Sequence, residues 1–416
     1  MNNSGNSLRA ALVLLLCLAV AGCRKKAKEA ASATDAEAAV RTTDGAITEG
    51  NMDSQIDGWE HILKDLRQGS VQAMAGLATL YDTRAQYFGK LAGYDRAEEL
   101  AELAVKTQSG DPEGILELAS MRAAMHRFPE ALLELDAAAK AGAKQAAVRS
   151  LRASVLQAQG HLEEALALRR AGMKEYATVF TLGALGAAEG AAGDAAEAEQ
   201  HFAQAIKVYR DTSPLPIAWV DFQRGMLAEK AGLLDRAADR YAAAHARLPQ
   251  YAQATGHLAG IILALQGDKT RAVALLRPLL MSTDDPEYEG QLATLLINST
   301  DPAEAAEGAA LRTKAAARYE ELLTRHPQAF ADHAARFFLT FDPSRALNLA
   351  RKNLEVRQTV EAYDLALSAA ALARDVSAGC TISQQALARP SPSRRIQALA
   401  ASACPATAEA GAHAAR

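Results

Sequence analysis

The sequence contains four cysteines, Cys17, Cys23, Cys380 and Cys404, and their thiols are the side chains best suited to covalent chemistry. A thiol can be acylated, can oxidise to a disulfide, or can bind a metal ion as the thiolate. No two of the four form a CxxC motif, which is the spacing typical of zinc sites and of thioredoxin-like redox pairs. Acylation and disulfide formation are therefore the chemistry to test first.

The nine histidines are scattered, and no two stand at metal-ligand spacing on one predicted helix. His326 and His333 are seven residues apart with Asp332 between them, but a zinc site needs three or four converging ligands. The sequence also lacks a glycine-rich phosphate loop, an HExxH motif and a GxSxG motif. We predict no enzymatic activity, no metal site and no cofactor. The net charge of -4 also disfavours a nucleic-acid partner.

The N-terminal residues have the features of an export signal. After Arg9, an apolar run of twelve residues extends from Ala10 to Ala21, whereas a transmembrane helix needs about 20 residues. The run ends in Leu18-Ala19-Val20-Ala21-Gly22-Cys23, which resembles the bacterial lipobox. This resemblance implies cleavage before Cys23 and acylation of its thiol and its new amine, which is enough for stable anchoring. The alternative is an ordinary signal peptide with a chance cysteine.

The resemblance predicts a signal peptide over residues 1–22 and a lipidated, disordered tether over residues 23–57. Residues 24–57 contain almost no large apolar side chains, so they cannot bury enough surface to fold. By analogy with lipoproteins, Arg24 in place of a retention aspartate favours the outer membrane, with the chain on its periplasmic face. The basic residues from Arg24 to Lys28 either contact anionic headgroups or keep the segment soluble.

Alanine accounts for 96 of the 416 residues, which favours helices and disfavours strands. From Trp59 onward, amphipathic helices alternate with short breaks, and five successive units align on two small residues 12 positions apart. These pairs are Ala119 and Ala131, Ala153 and Ala165, Gly186 and Ala198, Gly225 and Ala237, and Gly260 and Ala272. Small residues on both helices let two antiparallel helices approach closely, so the pattern predicts a series of helix hairpins.

A third marker lies seven residues after the first small residue of each unit. The markers are His126, Gly160, Gly193, Gly232 and Gly267. A glycine here predicts a left-handed turn at the end of the first helix. The pattern resembles the tetratricopeptide repeat, and residues 218–249 match it best, with Gly225, Ala237, Tyr241 and Pro249. The resemblance implies a right-handed α-solenoid of about nine hairpins over residues 58–404, with a C-terminal capping helix and a disordered tail over residues 405–416.

The resemblance also implies a concave groove lined by the first helix of each unit. Transfer of the groove positions to this sequence gives an apolar strip comprising Phe180, Trp219, Phe222, Met226, His257 and Ile261. No Lys or Arg occupies a transferred position, so the strip suits an apolar peptide or an amphipathic helix. Asp221 and Arg224 occupy inner positions where the repeat has tryptophan and leucine. They leave open a shifted register in which the aromatic residues are core, and they also allow an ion pair between these two side chains.

These features predict a lipid-anchored scaffold for protein–protein interaction in the bacterial cell envelope. Its partner would be an envelope protein or an apolar peptide segment, and its own contact with the membrane would be the lipid anchor. The alternative is a lipoprotein receptor that binds a glycan or a peptide. Only two tryptophans are present to form the aromatic platforms that sugar sites use.

We predict that the last two cysteines, Cys380 and Cys404, form a disulfide. An exported protein enters an oxidising compartment, where thiols pair. Cys380 lies at the start of the second helix of the last predicted unit, and Cys404 lies at the end of the predicted capping helix. Antiparallel packing places the start of one helix beside the end of the next, so the two sulfurs should meet. The alternative is two buried free thiols.

Overall fold

The computed structural model describes residues 40–65, 70–389 and 394–404. The predicted signal peptide, the predicted lipidation site Cys23 and the predicted tail lie outside these ranges. All regular secondary structure in the described residues is helical, so the prediction of an all-α fold is confirmed. The helices, in chain order, are α1 (Gly45–Asp65), α2 (Val71–Phe88), α3 (Ala92–Thr107), α4 (Pro112–Ala124), α5 (Phe128–Ala141), α6 (Gln145–Gln159), α7 (Leu162–Glu175), α8 (Val179–Ala192), α9 (Ala195–Val208), α10 (Leu215–Lys230), α11 (Leu234–Arg247), α12 (Ala252–Gln266), α13 (Lys269–Ser282), α14 (Pro286–Leu296), α15 (Pro302–Arg325), α16 (Pro327–Phe338), α17 (Pro343–Val356), α18 (Val360–Ala373), α19 (Val376–Leu387) and α20 (Arg394–Ala403).

The described helices pair into nine antiparallel hairpins, from α2–α3 to α18–α19. Each hairpin also packs against the next one along the chain. Helix α1 precedes the first hairpin, and α20 packs on α18 and α19 at the other end. Because each unit buries the apolar face of its neighbour, the array is an α-solenoid with a C-terminal capping helix.

The turns inside five of the hairpins contain the third marker of the repeat. Gly160, Gly193, Gly232 and Gly267 have φ values of 92°, 98°, 71° and 62°, and His126 has a φ of 54°. Glycine adopts this left-handed conformation without steric cost, and the turn lets backbone N–H groups bond to the last carbonyls of the helix. The left-handed turns predicted at the four glycines are therefore confirmed, and His126 adopts the same conformation.

Small residues allow the close approach of the two helices within a hairpin. Gly225 of α10 lies beneath the ring of Tyr241, and a Cβ built on this glycine would be 2.5 Å from Tyr241 Cδ1. Gly186 of α8 faces Phe202 in the same way, at 3.0 Å from Cε1. At these two positions any larger residue would displace a buried aromatic ring, which confirms the predicted role of the small residues.

The register predicted for α12 is wrong by one residue, whereas Ala272 of α13 is buried as predicted. Ala259 is buried, whereas Gly260 is exposed and a Cβ built on it would meet no atom within 4 Å. The two residues are adjacent and both small, so the spacing pattern could not distinguish them. The shift moves Ile261 from the predicted groove into the core.

The solenoid coils so that hairpins distant in sequence contact one another. Asp284 N donates to Gly89 O at 3.1 Å, and Gln358 N donates to Gln159 O at 3.1 Å. Each of these contacts joins parts of the chain that are about six hairpins apart. Successive turns of the superhelix therefore stack on one another, and their facing surfaces form a shared interior.

The prediction of a disordered tether is wrong for residues 40–57, which lie within the described part of the chain. Residues 23–39 lie outside the described residues. Thr43 N donates to Thr212 O at 2.7 Å, and α1 begins at Gly45, well before the predicted domain boundary at residue 58. Met52 and Ile56 are buried and lie one helical turn apart. Two large apolar residues at this spacing are enough to dock a helix, although the average composition of the segment resembles that of a disordered chain.

The C-terminal cap contains the predicted disulfide. Cys380 of α19 is bonded to Cys404, which directly follows α20, with a Cα–Cα distance of 4.6 Å. The two helices approach closely at Gly379, where an added Cβ would be 3.2 Å from the Cβ of Ala403. The bond ties the capping helix to the last hairpin.

Candidate functional site

The six residues predicted to line the groove do not form one continuous surface. Phe222 and Ile261 are 6% and 4% exposed, in a core that also contains Met52 and Ile56 of α1. The centroid of the Phe222 ring lies 5.3 Å from that of Tyr251. The groove assignment is therefore wrong for Phe222 and Ile261. The alternative in which they are core residues holds, because α10 and α12 of adjacent hairpins pack together and the stacked turns bring α1 against them.

His257 and Met226 are half-buried at the edge of this core. His257 Nδ1 is 3.1 Å from Glu229 Oε2, and Tyr241 Oη donates to the same oxygen at 2.6 Å. Burial raises the pKa of Glu229, but the hydrogen bonds from His257 and Tyr241 outweigh it, so the pKa is lowered. His257 therefore takes part in a polar cluster that is partly exposed to solvent.

Trp219 packs against a glycine of the preceding hairpin. A Cβ built on Gly183 would be 2.8 Å from Trp219 Cζ3, and one built on Gly190 would be 3.1 Å from Leu227 Cδ1. The small residues of α8 thus let α10 approach it closely. They form contacts between neighbouring helices, not the walls of an open groove.

Phe180, the first of the six predicted groove residues, lies on the protein surface and is 68% exposed. Tyr176, four residues earlier, is 61% exposed. The two aromatic side chains flank the turn between α7 and α8. Thr178 caps α8 in a capping box with Thr181, and Thr181 Oγ1 donates to Tyr176 O at 2.5 Å. The local sequence therefore holds an exposed aromatic pair on a well-defined turn.

The charged residues of α10 that depart from the repeat pattern are buried and paired. Arg224 Nε is 3.1 Å from Glu199 Oε1 of the preceding hairpin. Asp221 lies 3.7 Å from Arg240 and 4.0 Å from Arg247 of the following helix. Buried charges are tolerated when they are paired in this way. The departure from the repeat is thus explained by contacts between helices.

A cavity of about 150 Å³ lies where the two turns of the solenoid meet. Helices α2, α4, α12 and α16 and the residues at the starts of α3 and α14 form its walls. The titratable and amide side chains in the wall include Gln86, Tyr94, His126, Asp285, Tyr288 and His333. The sequence reasoning missed this site because a repeat pattern relates neighbouring units, whereas the cavity is made by units about six apart.

His333 is held between two carboxylates beside the cavity. Its Nδ1 is 3.3 Å from Glu287 Oε2, and its Nε2 is 3.9 Å from Asp332 Oδ1. Burial lowers the pKa of His333, but the two carboxylates outweigh burial and raise the pKa to about 9. Asp332 also lies 3.1 Å from Arg357 Nη1. Burial raises the pKa of Asp332, but the charges of His333 and Arg357 outweigh it and hold the pKa at about 2. This group is charged and internally neutralised at neutral pH.

His126 is the neutral histidine of the cavity wall. Its Nδ1 is 3.1 Å from the carbonyl oxygen of Gln328, on the other turn of the solenoid. Because a carbonyl only accepts, Nδ1 carries the proton and Nε2 is the unprotonated nitrogen. Burial, with a smaller effect from the charge of Arg357, lowers the pKa of His126 to about 4.

Asp285 is the carboxylate in the cavity wall. Its Oδ1 accepts from Glu287 N at 2.9 Å and caps α14. Burial, together with the charge of Glu287, raises the pKa of Asp285. Among the described residues, no Lys, Arg or His forms an ion pair with it. The charge of His333 in the same wall acts in the opposite direction and offsets part of this rise in the pKa of Asp285.

No group of three or more His, Cys, Asp or Glu side chains within the described ranges is arranged to hold a metal ion. Between residues 40 and 404, leaving out the two undescribed gaps, no helix is both long and apolar enough to cross a membrane.

No protein-family model and no curated protein matches the chain. Among solved structures, the chain is similar to a tetratricopeptide repeat protein from Parabacteroides merdae, with 13% identity and a TM-score of 0.39 over 69% of this chain and 98% of that one. It is also similar to TTC0263, a thermophilic TPR protein from Thermus thermophilus, with 20% identity and a TM-score of 0.39 over 47% and 100% of the two chains. A human IFIT1 dimer with PPP-AAAA is 14% identical, with a TM-score of 0.47 over 80% and 77%.

At these identities and TM-scores, the likeness carries no argument about function. The fold assignment rests on the chain's own hairpins, left-handed turns and buried small residues, and they make it an α-solenoid of tetratricopeptide-like units.

Proposed function

We propose that this protein is a lipid-anchored interaction scaffold of the bacterial cell envelope. Cys23 carries the lipid at the periplasmic face of the outer membrane, and the residues that follow connect it to the solenoid. The lipobox-like residues Leu18 to Cys23 support the anchor. The array of hairpins supports the scaffold, because stacked units present extended surfaces to partners.

The exposed aromatic pair Tyr176 and Phe180 is the observation that carries this proposal. Aromatic residues are enriched among the contacts that dominate protein interfaces, since they bury large areas with few rotatable bonds. Trp219 of α10 packs against Gly183, one helical turn after Phe180, and is half-buried there. The partner class that fits is an amphipathic helix or an extended apolar segment of an envelope protein.

Site-specific photo-crosslinking in the anchored, full-length protein tests the partner surface. A photoreactive phenylalanine analogue at position 180 should capture a defined envelope protein, and Tyr176→Ala should reduce the yield. The same analogue at Leu133, which is 70% exposed on α5, is the matched control. Absence of a cross-link at position 180, or the same products at both positions, would contradict the proposed surface.

The anchor has its own test. Cys23→Ala should abolish incorporation of labelled palmitate and leave the protein in the aqueous phase of a detergent partition. Gly22→Ala is the control, because it keeps the thiol and a small residue before it. If Cys23→Ala still partitions with detergent and still incorporates palmitate, the protein is not anchored at this residue.

Binding of a small ligand is the second candidate function, and the cavity between the two turns favours it. The predicted alternative of a glycan or peptide receptor would require a larger, open site. Binding to immobilised glycans or peptides tests that alternative.

A further inference from the structure

Arg169 of α7 departs from the repeat at a position that is otherwise apolar. Its counterparts in the second, fourth, fifth and sixth hairpins are almost fully buried, and they are Leu135, Phe202, Tyr241 and Leu276. Arg169 is only half-buried, and its guanidinium lies between α6 and α7. A charged residue at a core position of one hairpin needs an explanation of its own.

Two hydroxyl groups hold the guanidinium of Arg169. Its Nη1 donates to Ser150 Oγ at 3.2 Å and its Nη2 donates to Ser154 Oγ at 2.7 Å, and both serines are exposed. Its Nε is buried and has no hydrogen-bond partner among the described residues. A guanidinium has five N–H groups, so three of them are left for a further acceptor.

No carboxylate of the described residues compensates this charge. Three carboxylates on the surrounding helices are paired elsewhere: Glu175 with Arg149 at 2.5 Å, Asp136 with Arg152 at 2.5 Å, and Glu189 with His201 at 2.6 Å. Glu163 and Glu164 are exposed in the first turn of α7, more than one turn away from Arg169. Burial lowers the pKa of Arg169 to about 10, and no opposite charge offsets this effect.

The hairpin around Arg169 is basic, although the protein is acidic. Residues 144–175 contain six Lys or Arg side chains and three Glu side chains, whereas the whole chain has a net charge of -4. An anionic group is therefore attracted to this hairpin more than to the rest of the surface.

The repeat geometry places the exposed aromatic pair beside this cation. Phe180 has the position in α8 that Trp219 has in α10, and Ser150 has the position in α6 that Gly183 has in α8. Because Trp219 contacts Gly183, Ser150 lies on the side of α6 next to Phe180. The other member of the pair directly follows α7, about 10 Å along the helix from Arg169.

Helix α1 covers the equivalent surface of another hairpin. Phe222 has the position in α10 that Ser150 has in α6, and it shares a core with Met52 and Ile56 of α1. An amphipathic helix therefore fits this side of the repeat, and the surface at Ser150 is left open.

Helix α1 is also acidic, and its carboxylates bind arginines of the solenoid. Residues 45–65 contain five Asp or Glu side chains and one Lys. Glu60 accepts from Arg96 Nε at 2.8 Å and from its Nη2 at 3.0 Å, and Asp53 accepts from Arg84 Nη1 at 3.1 Å. The solenoid thus binds its own helix through apolar side chains and arginine–carboxylate pairs together.

We propose that Arg169 binds a carboxylate of an acidic amphipathic helix of the partner, whose apolar face packs on Tyr176 and Phe180. This inference rests on the proposed interaction surface and specifies the charge of the segment that binds there. A carboxylate accepts from two N–H groups of a guanidinium at once and supplies the single negative charge that the site lacks.

The probe is a labelled synthetic peptide with the sequence of residues 45–65, and its control carries Asn and Gln in place of every Asp and Glu. Both are titrated into the folded full-length protein and followed by fluorescence anisotropy at physiological salt, where the Debye length is about 8 Å. The acidic peptide should bind about tenfold more tightly, as hydrogen bonds to a charged group do. Equal affinity of the two peptides, or no binding of the acidic one, would overturn the proposal.

Two adjacent arginines provide matched variants. Arg169→Gln should bind both peptides with the affinity of the amide peptide. Arg170→Gln removes the same charge from an exposed neighbour on α7 and should keep the preference for the acidic peptide. Equal effects of the two variants would mean that only the net charge attracts the peptide, and they would refute the contact at Arg169.

Phe180→Ala separates this inference from the proposed interaction surface. It should weaken binding of both peptides alike, because it removes apolar contacts and leaves Arg169 in place. If Phe180→Ala weakens binding and Arg169→Gln does not, the aromatic surface stands and the acidic partner is refuted. If neither variant changes binding, the peptide binds elsewhere and both proposals fail for this surface.

Arg169→Leu tests whether the arginine serves the fold. Leucine occupies this position in the second and sixth hairpins, where Leu135 and Leu276 are buried. The variant should therefore keep or raise the melting temperature while it abolishes the preference for the acidic peptide. A marked fall in the melting temperature would show that Arg169 stabilises its hairpin and would contradict its role in binding.

Discussion

At the scale of single residues, glycines at the same position of the sequence pattern lie in two opposite environments, one buried and one exposed. Gly225 and Gly260 both occupy the first small position of their predicted units. Gly225 lies beneath the buried ring of Tyr241, whereas Gly260 is exposed and has open space around it. The residue type alone could not separate a glycine that is required by packing from one that is merely tolerated in a helix.

Substitution of the two glycines by alanine should therefore change stability in opposite directions. Gly225→Ala would push into Tyr241 and should lower the free energy of unfolding by about 1–3 kcal/mol. Gly260→Ala should raise it by about 0.5–1 kcal/mol, because alanine is the better helix former on an exposed face. Urea unfolding followed by circular dichroism measures both. If Gly260→Ala destabilises as much as Gly225→Ala does, the corrected register of α12 is wrong.

Phe222 and Phe180 form a second pair with opposite expectations. Phe222 is buried among Tyr241, Tyr251 and His257, so Phe222→Ala should cost about 3–5 kcal/mol of stability. Phe180 is exposed, so Phe180→Ala should change stability by less than about 0.5 kcal/mol while weakening partner capture. Thermal unfolding of the purified variants separates the two roles. Similar losses in both variants would contradict the division between core and surface.

At the scale of elements, the disulfide stabilises the end of the array. A bond between positions 24 residues apart contributes about 3 kcal/mol in the chain-entropy estimate. In a repeat protein, each unit contacts mainly its neighbours, so this stabilisation should be confined to α18, α19 and α20. Loss of the bond should therefore open the cap without unfolding the first hairpins.

Hydrogen exchange measures this local effect. Replacement of both Cys380 and Cys404 by serine should speed exchange of the amides in α19 and α20, whereas those in α4 and α5 keep their protection. The native chain without and with a reductant gives the same comparison without mutation. Equal acceleration along the whole chain would show that the cap is not an independent unit.

The elements that could be predicted from the sequence are those encoded by local spacing. The hairpins follow from small residues 12 positions apart, and the disulfide follows from two cysteines at the ends of neighbouring helices. Helix α1 was missed because Met52 and Ile56 are its few large buried residues and the surrounding composition is polar. The core around Phe222 and the cavity were missed for another reason. Both depend on the pitch of the superhelix, which is the sum of the small rotations between successive hairpins over about six hairpins. No local sequence pattern encodes that sum.

At the scale of the whole molecule, a histidine joins the stacked turns and makes their contact sensitive to acid. His126 Nδ1 donates to the carbonyl of Gln328, about six hairpins away. Burial lowers its pKa from 6.5 to about 4 in the folded chain. Because the unfolded state binds this proton more readily, the contribution of neutral His126 is present above pH 6.5 and is lost as the pH falls towards 4.

The pH dependence of unfolding in a histidine variant checks this sign. His126→Asn can keep the left-handed backbone, since asparagine tolerates it, and should flatten the loss of stability between pH 6.5 and 4. His161→Asn is the control, because His161 is an exposed side chain beside the corresponding turn of the next hairpin. If the difference between native protein and His126→Asn does not vary with pH, His126 is not the titrating group.

The central claim is that distant hairpins of this solenoid contact one another, and zero-length carbodiimide cross-linking tests it most directly. Lys230 Nζ of α10 lies 2.5 Å from Glu361 Oε1 of α18, four hairpins later. Lys269 Nζ lies 2.7 Å from Glu304 Oε2 of the adjacent hairpin, a contact that any solenoid of these units would make. Mass spectrometry of the cross-linked monomer should find both amide bonds. A Lys269–Glu304 bond without a Lys230–Glu361 bond would mean that the solenoid is open and that neither the shared core nor the cavity exists as described.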